Sequence, residues 1–315
     1  MNNSLKKNIQ KPFVVCVIAC FCCLLWGSAF PIIKIGYNLL SVDGNDYMSQ
    51  ILFAGIRFFL AGLFTIIIGS IMTKSPVRVK RKGIYKIPVL ALFQTILQYL
   101  FFYVGLAKTT GTKSSILDST SVFFSVIIAS LFLKQEKFSV KKIIGCLLGF
   151  GGVVIVNLSD GGFDASMSFM GEGFIILSAL SYAVSSVLIK QYSRDDNPAA
   201  LSGHQFILGG LVMIVVGIIG KGQLSFNGVK SILIVLYLAL LSAVAYTLWG
   251  ILLKYNPVSK VTVFGFMTPV FGCILSAILL NESIGSNSAR IFFALIFVSL
   301  GIIIVNIKSK GEAND

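Results

Sequence analysis

Ten apolar runs of about 20 residues follow one another along this chain, at 13–33, 50–72, 87–106, 113–133, 140–158, 171–190, 199–220, 230–253, 259–280 and 288–307. A helix needs about 20 residues to cross the ~30 Å hydrocarbon core of a bilayer. Within that core no water satisfies the backbone, so a spanning run must bond its own N–H and C=O groups as a helix. Ten such runs define an all-α polytopic membrane protein with ten transmembrane helices. The connections are short, which leaves no room for an inserted soluble domain. Composition agrees. Of 315 residues only 12% are charged and 56% are apolar, and the mean hydropathy is +0.90. A soluble domain carries about 25% charged residues.

The formal net charge of +14 could point to nucleic acid. The basic residues lie instead in short connections between apolar runs, the pattern of cytoplasmic loops in membrane proteins. With a cytoplasmic N-terminus, 19 Lys and Arg fall on the inner side and 6 on the outer, with Arg57 inside a span. The bias predicts a plasma-membrane protein with both termini in the cytoplasm. Lys6, Lys7 and Lys11 imitate a secretory leader. No small-residue cleavage site follows, and Trp26 and Pro31 continue the run, so an uncleaved first span is expected.

The two halves of the chain resemble each other. "LLWGSAFPIIK" (24–34) aligns with "ALSYAVSSVLIK" (179–190), which places Trp26 over Tyr182 and Lys34 over Lys190. "AGIRFFLAGL" (54–63) aligns with "SGHQFILGGL" (202–211), Arg57 over Gln205. Lys113 matches Lys260, and "GVVIVNL" (152–158) matches "GIIIVNI" (301–307). Five spans is an odd number, so the second copy must enter the membrane from the opposite side. Two inverted five-helix repeats are expected, over 13–158 and 171–307. In transporters such repeats place a binding site near the midplane.

Ten spans, the internal repeat, "WGSAFPIIK" on the first helix, "RF" on the second, and Glu136 and Glu282 closing the fourth and ninth resemble the EamA family of the drug/metabolite transporter superfamily. The resemblance covers residues 13–307. It implies a transporter, often an exporter of amino acids or other small metabolites, that works by alternating access. The family usually carries a proline in the fourth helix. Here "LDSTSVFFS" (117–125) has Ser121 where the second half has Pro269. The fourth helix is therefore expected to be straighter than the ninth, and the rocking of the halves asymmetric.

Polar residues are costly inside lipid, so those in the spans are the candidate pathway. Gln94 and Gln98 sit one helical turn apart with Tyr99 beside them, and pore lining is preferred over helix–helix bonding. Ser242, Tyr246 and Trp249 form a comparable stripe on the eighth span. Trp26, Tyr182 and Thr268 join the pathway set. Asp118, followed by Ser119 and Thr120, has two open readings: a substrate or proton site, or a carboxylate stabilised near a helix N-terminus. Arg57 is expected to pair with a carboxylate or cap free carbonyls. His204 is a second candidate for proton coupling, although an interfacial role is favoured. Pro31, Glu136, Pro269 and Glu282 are expected at helix ends, bends or gates. Ser178, Ser181 and Ser185 read as small residues that permit close packing.

Other chemistry finds little support. "GLAKTTGTKSS" (105–115) imitates a phosphate loop, but its spacing is wrong and no strand precedes it. Six cysteines lie in apolar runs without His or carboxylate neighbours, so neither a metal centre nor a disulfide framework is indicated. No cofactor is implied. The expected partners are a small-molecule substrate and the lipid bilayer. The rival classes, a membrane enzyme or a sensor, would need a catalytic cluster in the loops or a soluble output domain.

Overall fold

The computed structural model describes residues 7–106, 108–109, 111–133, 139–157, 167–279 and 288–307, and among these no strand occurs. Ten helices are long and apolar enough to span a membrane: α1 Pro12–Leu39, α2 Tyr47–Thr73, α3 Lys86–Leu106, α4 Ser114–Phe132, α5 Val140–Asn157, α6 Phe169–Tyr192, α7 Pro198–Ile219, α8 Val229–Tyr255, α9 Val258–Leu279 and α10 Ala289–Asn306. Large apolar side chains stand exposed along them, among them Phe13, Ile71, Leu131, Phe132 and Ile219. On a soluble surface such a belt would aggregate; in a bilayer it faces lipid.

Local sequence sets the helix starts. Asp46 accepts the Ser49 N–H at 3.0 Å to cap α2. Asn197 caps α7 ahead of Pro198, accepting from the Ala199 N–H at 2.9 Å. Ser168 caps α6, accepting the Gly171 N–H, while Glu172 takes the Ser168 N–H at 2.8 Å. Each side chain satisfies a backbone donor that the first helical turn leaves orphaned.

Helix α1 runs past the expected limit at residue 33 and continues through Pro31 to Leu39. Pro31 removes one backbone donor, so the carbonyl of Gly27 loses its intrahelical partner without the helix ending. Lys34 is consequently an exposed residue on α1 rather than its terminus.

The packing pairs helices in a reciprocal pattern. Helix α1 packs on α8 and α9, and α6 packs on α3 and α4. Helix α2 packs on α8, and α7 packs on α3. Helices α2 and α7 form one long mutual contact, and α5 and α10 another. Glycines allow both of these contacts. A Cβ on Gly62 would lie 2.7 Å from the Gly203 carbonyl oxygen, and one on Gly145 would lie 2.7 Å from that of Gly301. Apolar attraction is absent between helices in lipid, so close backbone approach and dispersion carry such contacts.

Among the described residues, α4 and α9 carry tightened turns. In α4 the helical turns tighten at Ser119 and Thr120: the Thr120 N–H reaches Leu117 and the Val122 N–H reaches Ser119, three residues back rather than four. The Ser119 hydroxyl donates to the Ile116 carbonyl at 2.6 Å, and that of Thr120 to Leu117 at 2.5 Å. These hydroxyls compete for helical carbonyls and provide a break without proline. In α9, residues Val263–Phe266 form a tighter 3-10 stretch just before Pro269. The missing proline therefore does not leave the fourth helix uninterrupted.

Candidate functional site

Three apolar clusters make up the interior, and Trp26 of α1 packs against all of them. Its ring meets Tyr246 edge-on at 5.2 Å and Trp249 at 5.0 Å, both from α8. The hydroxyls of Tyr246 and Tyr99 share a hydrogen bond of 3.0 Å between α8 and α3. Phe58 of α2 lies 4.3 Å from Tyr99, and Phe206 of α7 lies 4.9 Å from Tyr246. Aromatic residues from five helices thus converge on one region. The indole nitrogens of Trp26 and Trp249 are both buried without a hydrogen-bond partner.

Among the described residues, Arg57 lies in this interior and Asp118 beside it. Arg57 of α2 is 3% exposed. Its Nε and Nη2 donate to the Ser242 hydroxyl at 3.3 and 3.0 Å, and its guanidinium lies 5.1 Å from the centre of the Phe58 ring. Tyr37, Tyr99, Tyr103 and Tyr246 stand within its electrostatic reach. No described carboxylate pairs with Arg57, contrary to the sequence expectation. The described acids have other neighbours: Asp195 and Asp196 bond Lys86, Glu172 bonds Thr109, and Asp46 bonds Ser49.

Asp118 ends the first segment of α4, immediately before the break. Its half-buried carboxylate has no hydrogen-bond or ion-pair partner among the described residues, and it lies within electrostatic reach of Tyr182 on α6. Tyr182 is in turn close to Tyr99 and Tyr246. At a helix C-terminus the macrodipole opposes a negative charge. The second segment of α4 begins at Ser121, so Asp118 also stands just before a helix N-terminus, where the macrodipole acts with the opposite sign. Asp118 and Arg57 thus both lie within electrostatic reach of interior tyrosines, Asp118 of Tyr182 and Arg57 of Tyr99, Tyr103 and Tyr246.

The other candidates fall in different places. Gln94 is buried, and its Oε1 accepts from Gln205 Nε2 of α7 at 3.0 Å; Thr95 donates to Gln205 Oε1 at 2.8 Å. Gln94 therefore bonds helix to helix, inside a π-helical turn at Leu92–Leu97, rather than lining a path. Gln98 lies beside the Tyr246 hydroxyl, with its Oε1 unpaired. Ser242 holds Arg57 and donates its own proton to the Leu238 carbonyl at 3.0 Å. Thr268 of α9 lies beside Cys23, whose thiol donates to the Phe264 carbonyl at 3.2 Å, within the tightened stretch. Pro269 follows that stretch. His204 bonds the Ala200 carbonyl of its own helix through Nδ1 at 2.8 Å. Glu136 and Glu282 lie outside the described residues. Among the described residues no group of His, Cys, Asp and Glu could hold a metal ion.

Sequence reasoning missed Phe58, Tyr103, Phe206 and the Gln94–Gln205 pair. Both faces of a membrane helix are apolar, so periodicity gives little sign of which aromatics point inward. Arg57, legible as an anomaly, was the signal that could have drawn attention to Phe58 beside it.

A ten-span helical bundle with a sparse polar interior between reciprocally packed helices defines a multi-pass membrane protein of the transporter class. The chain belongs to the EamA-like transporter family, which matches it twice, over residues 13–158 and 169–307. It is 25% identical over 315 residues to an uncharacterised transporter, YvbV, of Bacillus subtilis (strain 168), covering 97% of this chain and 95% of that one. It is 29% identical over 271 residues to an uncharacterised transporter of Archaeoglobus fulgidus, covering 82% of this chain and 86% of that one. A WAT1-related chloroplastic protein of Arabidopsis thaliana is 24% identical over 300 residues, covering 92% of this chain and 68% of the plant protein. Both microbial relatives are named as transporters rather than enzymes. A chain of known crystal structure superposes with a TM-score of 0.77 at 18% identity, covering 93% of this chain and 98% of that chain. At that identity the likeness concerns the fold.

Proposed function

We propose that the protein is a secondary transporter that carries a small metabolite, an amino acid or a related compound, out of the cell across the plasma membrane by alternating access. The observation that carries this reading is the aromatic interior with one buried cation, Arg57, and beside it a carboxylate, Asp118, that has no partner among the described residues. A purely structural bundle has no use for either group, because each costs stability in lipid. The reciprocal packing of α1 on α8 and α9 and of α6 on α3 and α4 supports two inverted repeats around this interior, and α4 and α9, the fourth spans of the two halves, each carry a tightened turn. Discontinuous helices flank the binding sites of several transporter folds.

Asp118 is assigned the coupling role. It binds a proton or the substrate's amine but not both, and its charge changes as the site turns from one side to the other. In proteoliposomes, an imposed pH gradient should drive a labelled amino-acid mixture uphill. Asp118→Asn should cut accumulation at least tenfold while leaving downhill exchange intact. Flux that ignores the gradient in the parent protein would favour a simple facilitator.

A further inference from the structure

The geometry points to Arg57 as an anion subsite of the central interior: the substrate carries a carboxylate, bound by the guanidinium, with its apolar body against Trp26, Tyr246 and Trp249. This rests on the transporter reading and names the chemistry of the same site. A guanidinium presents five N–H donors and stays charged. Ser242 accepts from the Nε and Nη2 edge, and its own proton is committed to Leu238. Beyond Ser242 the guanidinium meets neutral tyrosine hydroxyls, with a hydrogen bond to Tyr103, and no described carboxylate pairs with it. A planar carboxylate takes two parallel hydrogen bonds from a guanidinium, and here it would displace only the neutral Tyr103 hydroxyl. One positive charge with no carboxylate partner among the described residues matches a monoanion better than a multiply charged phosphate. The surrounding rings supply apolar area, and the buried indole N–H groups offer neutral donors to a polar substituent.

The chain contains only two tryptophans, and both lie at this site. Their fluorescence in the purified full-length protein therefore reports binding directly. The probes are phenylacetate, its neutral isostere phenylacetamide, and sodium chloride. In the parent protein phenylacetate should bind at least tenfold more tightly than phenylacetamide. Arg57→Gln should abolish that preference, and Arg57→Lys, which keeps the cation, should retain part of it. The parent comparison alone decides the matter if Arg57→Gln does not fold. Equal affinity for the acid and the amide, or no response to either, overturns the proposal. A response to chloride with none to phenylacetate also overturns it, since the subsite then serves an inorganic ion. Failure of transport by itself leaves the fluorescence preference in place, so the two readings fail separately.

Discussion

A guanidinium at membrane depth costs several kcal/mol unless it is paired or solvated, and Arg57 is supported by a serine hydroxyl and tyrosines. Asp196 shows the opposite solution outside the spans. Burial would raise its carboxyl, but hydrogen bonds from Lys86 Nζ at 2.7 Å and from the Lys80 N–H outweigh this and hold it below the usual carboxylate value. A carboxylate so lowered contributes stability above its unfolded value of about 4 and loses it as pH falls through the lowered folded value. Thermal unfolding in detergent should therefore be flat from pH 7 to about 5 and fall below about 4. Asp196→Asn should remove part of that acid-side fall. Lys86→Met strands a buried carboxylate and should cost about 3 kcal/mol; an unchanged unfolding temperature would mean the pair carries no net stability.

At the scale of helices, the α2–α7 contact depends on glycine at the crossing. Gly62→Ala would force a Cβ against the Gly203 carbonyl and the Ile207 backbone nitrogen, each 2.7 Å away. Overpacking of this kind costs about 1–3 kcal/mol. The unfolding temperature should drop, and Gly44→Ala, where a Cβ meets nothing within 4 Å, should leave it unchanged. Helix positions were legible from hydropathy because the bilayer fixes their length. The end of α1 was not, because Lys34 reads as an interfacial stop while a long side chain can leave the helix and reach water. The break in α4 was hidden for another reason. Proline marks a break in any context, whereas Ser119 and Thr120 break a helix only when their hydroxyls turn back on its carbonyls.

The whole molecule is read as two halves that exchange partners, with the site where they meet. Segments such as "AGIRFFLAGL" and "SGHQFILGGL" align between the halves, and the EamA-like family matches each half once. The pairing of Gln94 with Gln205, 111 residues apart, was not, since separation in sequence gives no sign of contact. Arg57 and Asp118 stood out as charges inside apolar spans, but their neighbours did not. If the termini are cytoplasmic and the halves inverted, reporters fused after residue 165 and at the C-terminus should lie on opposite sides of the membrane. A shared side would remove the inversion. The most direct test of the account places one cysteine at Gln98, beside Tyr246, in a protein freed of its six native cysteines. A membrane-impermeant thiol reagent is then applied to right-side-out and to inside-out vesicles. Alternating access predicts labelling from both faces, without a standing leak of ions. Labelling from one face only, or from neither, would contradict it.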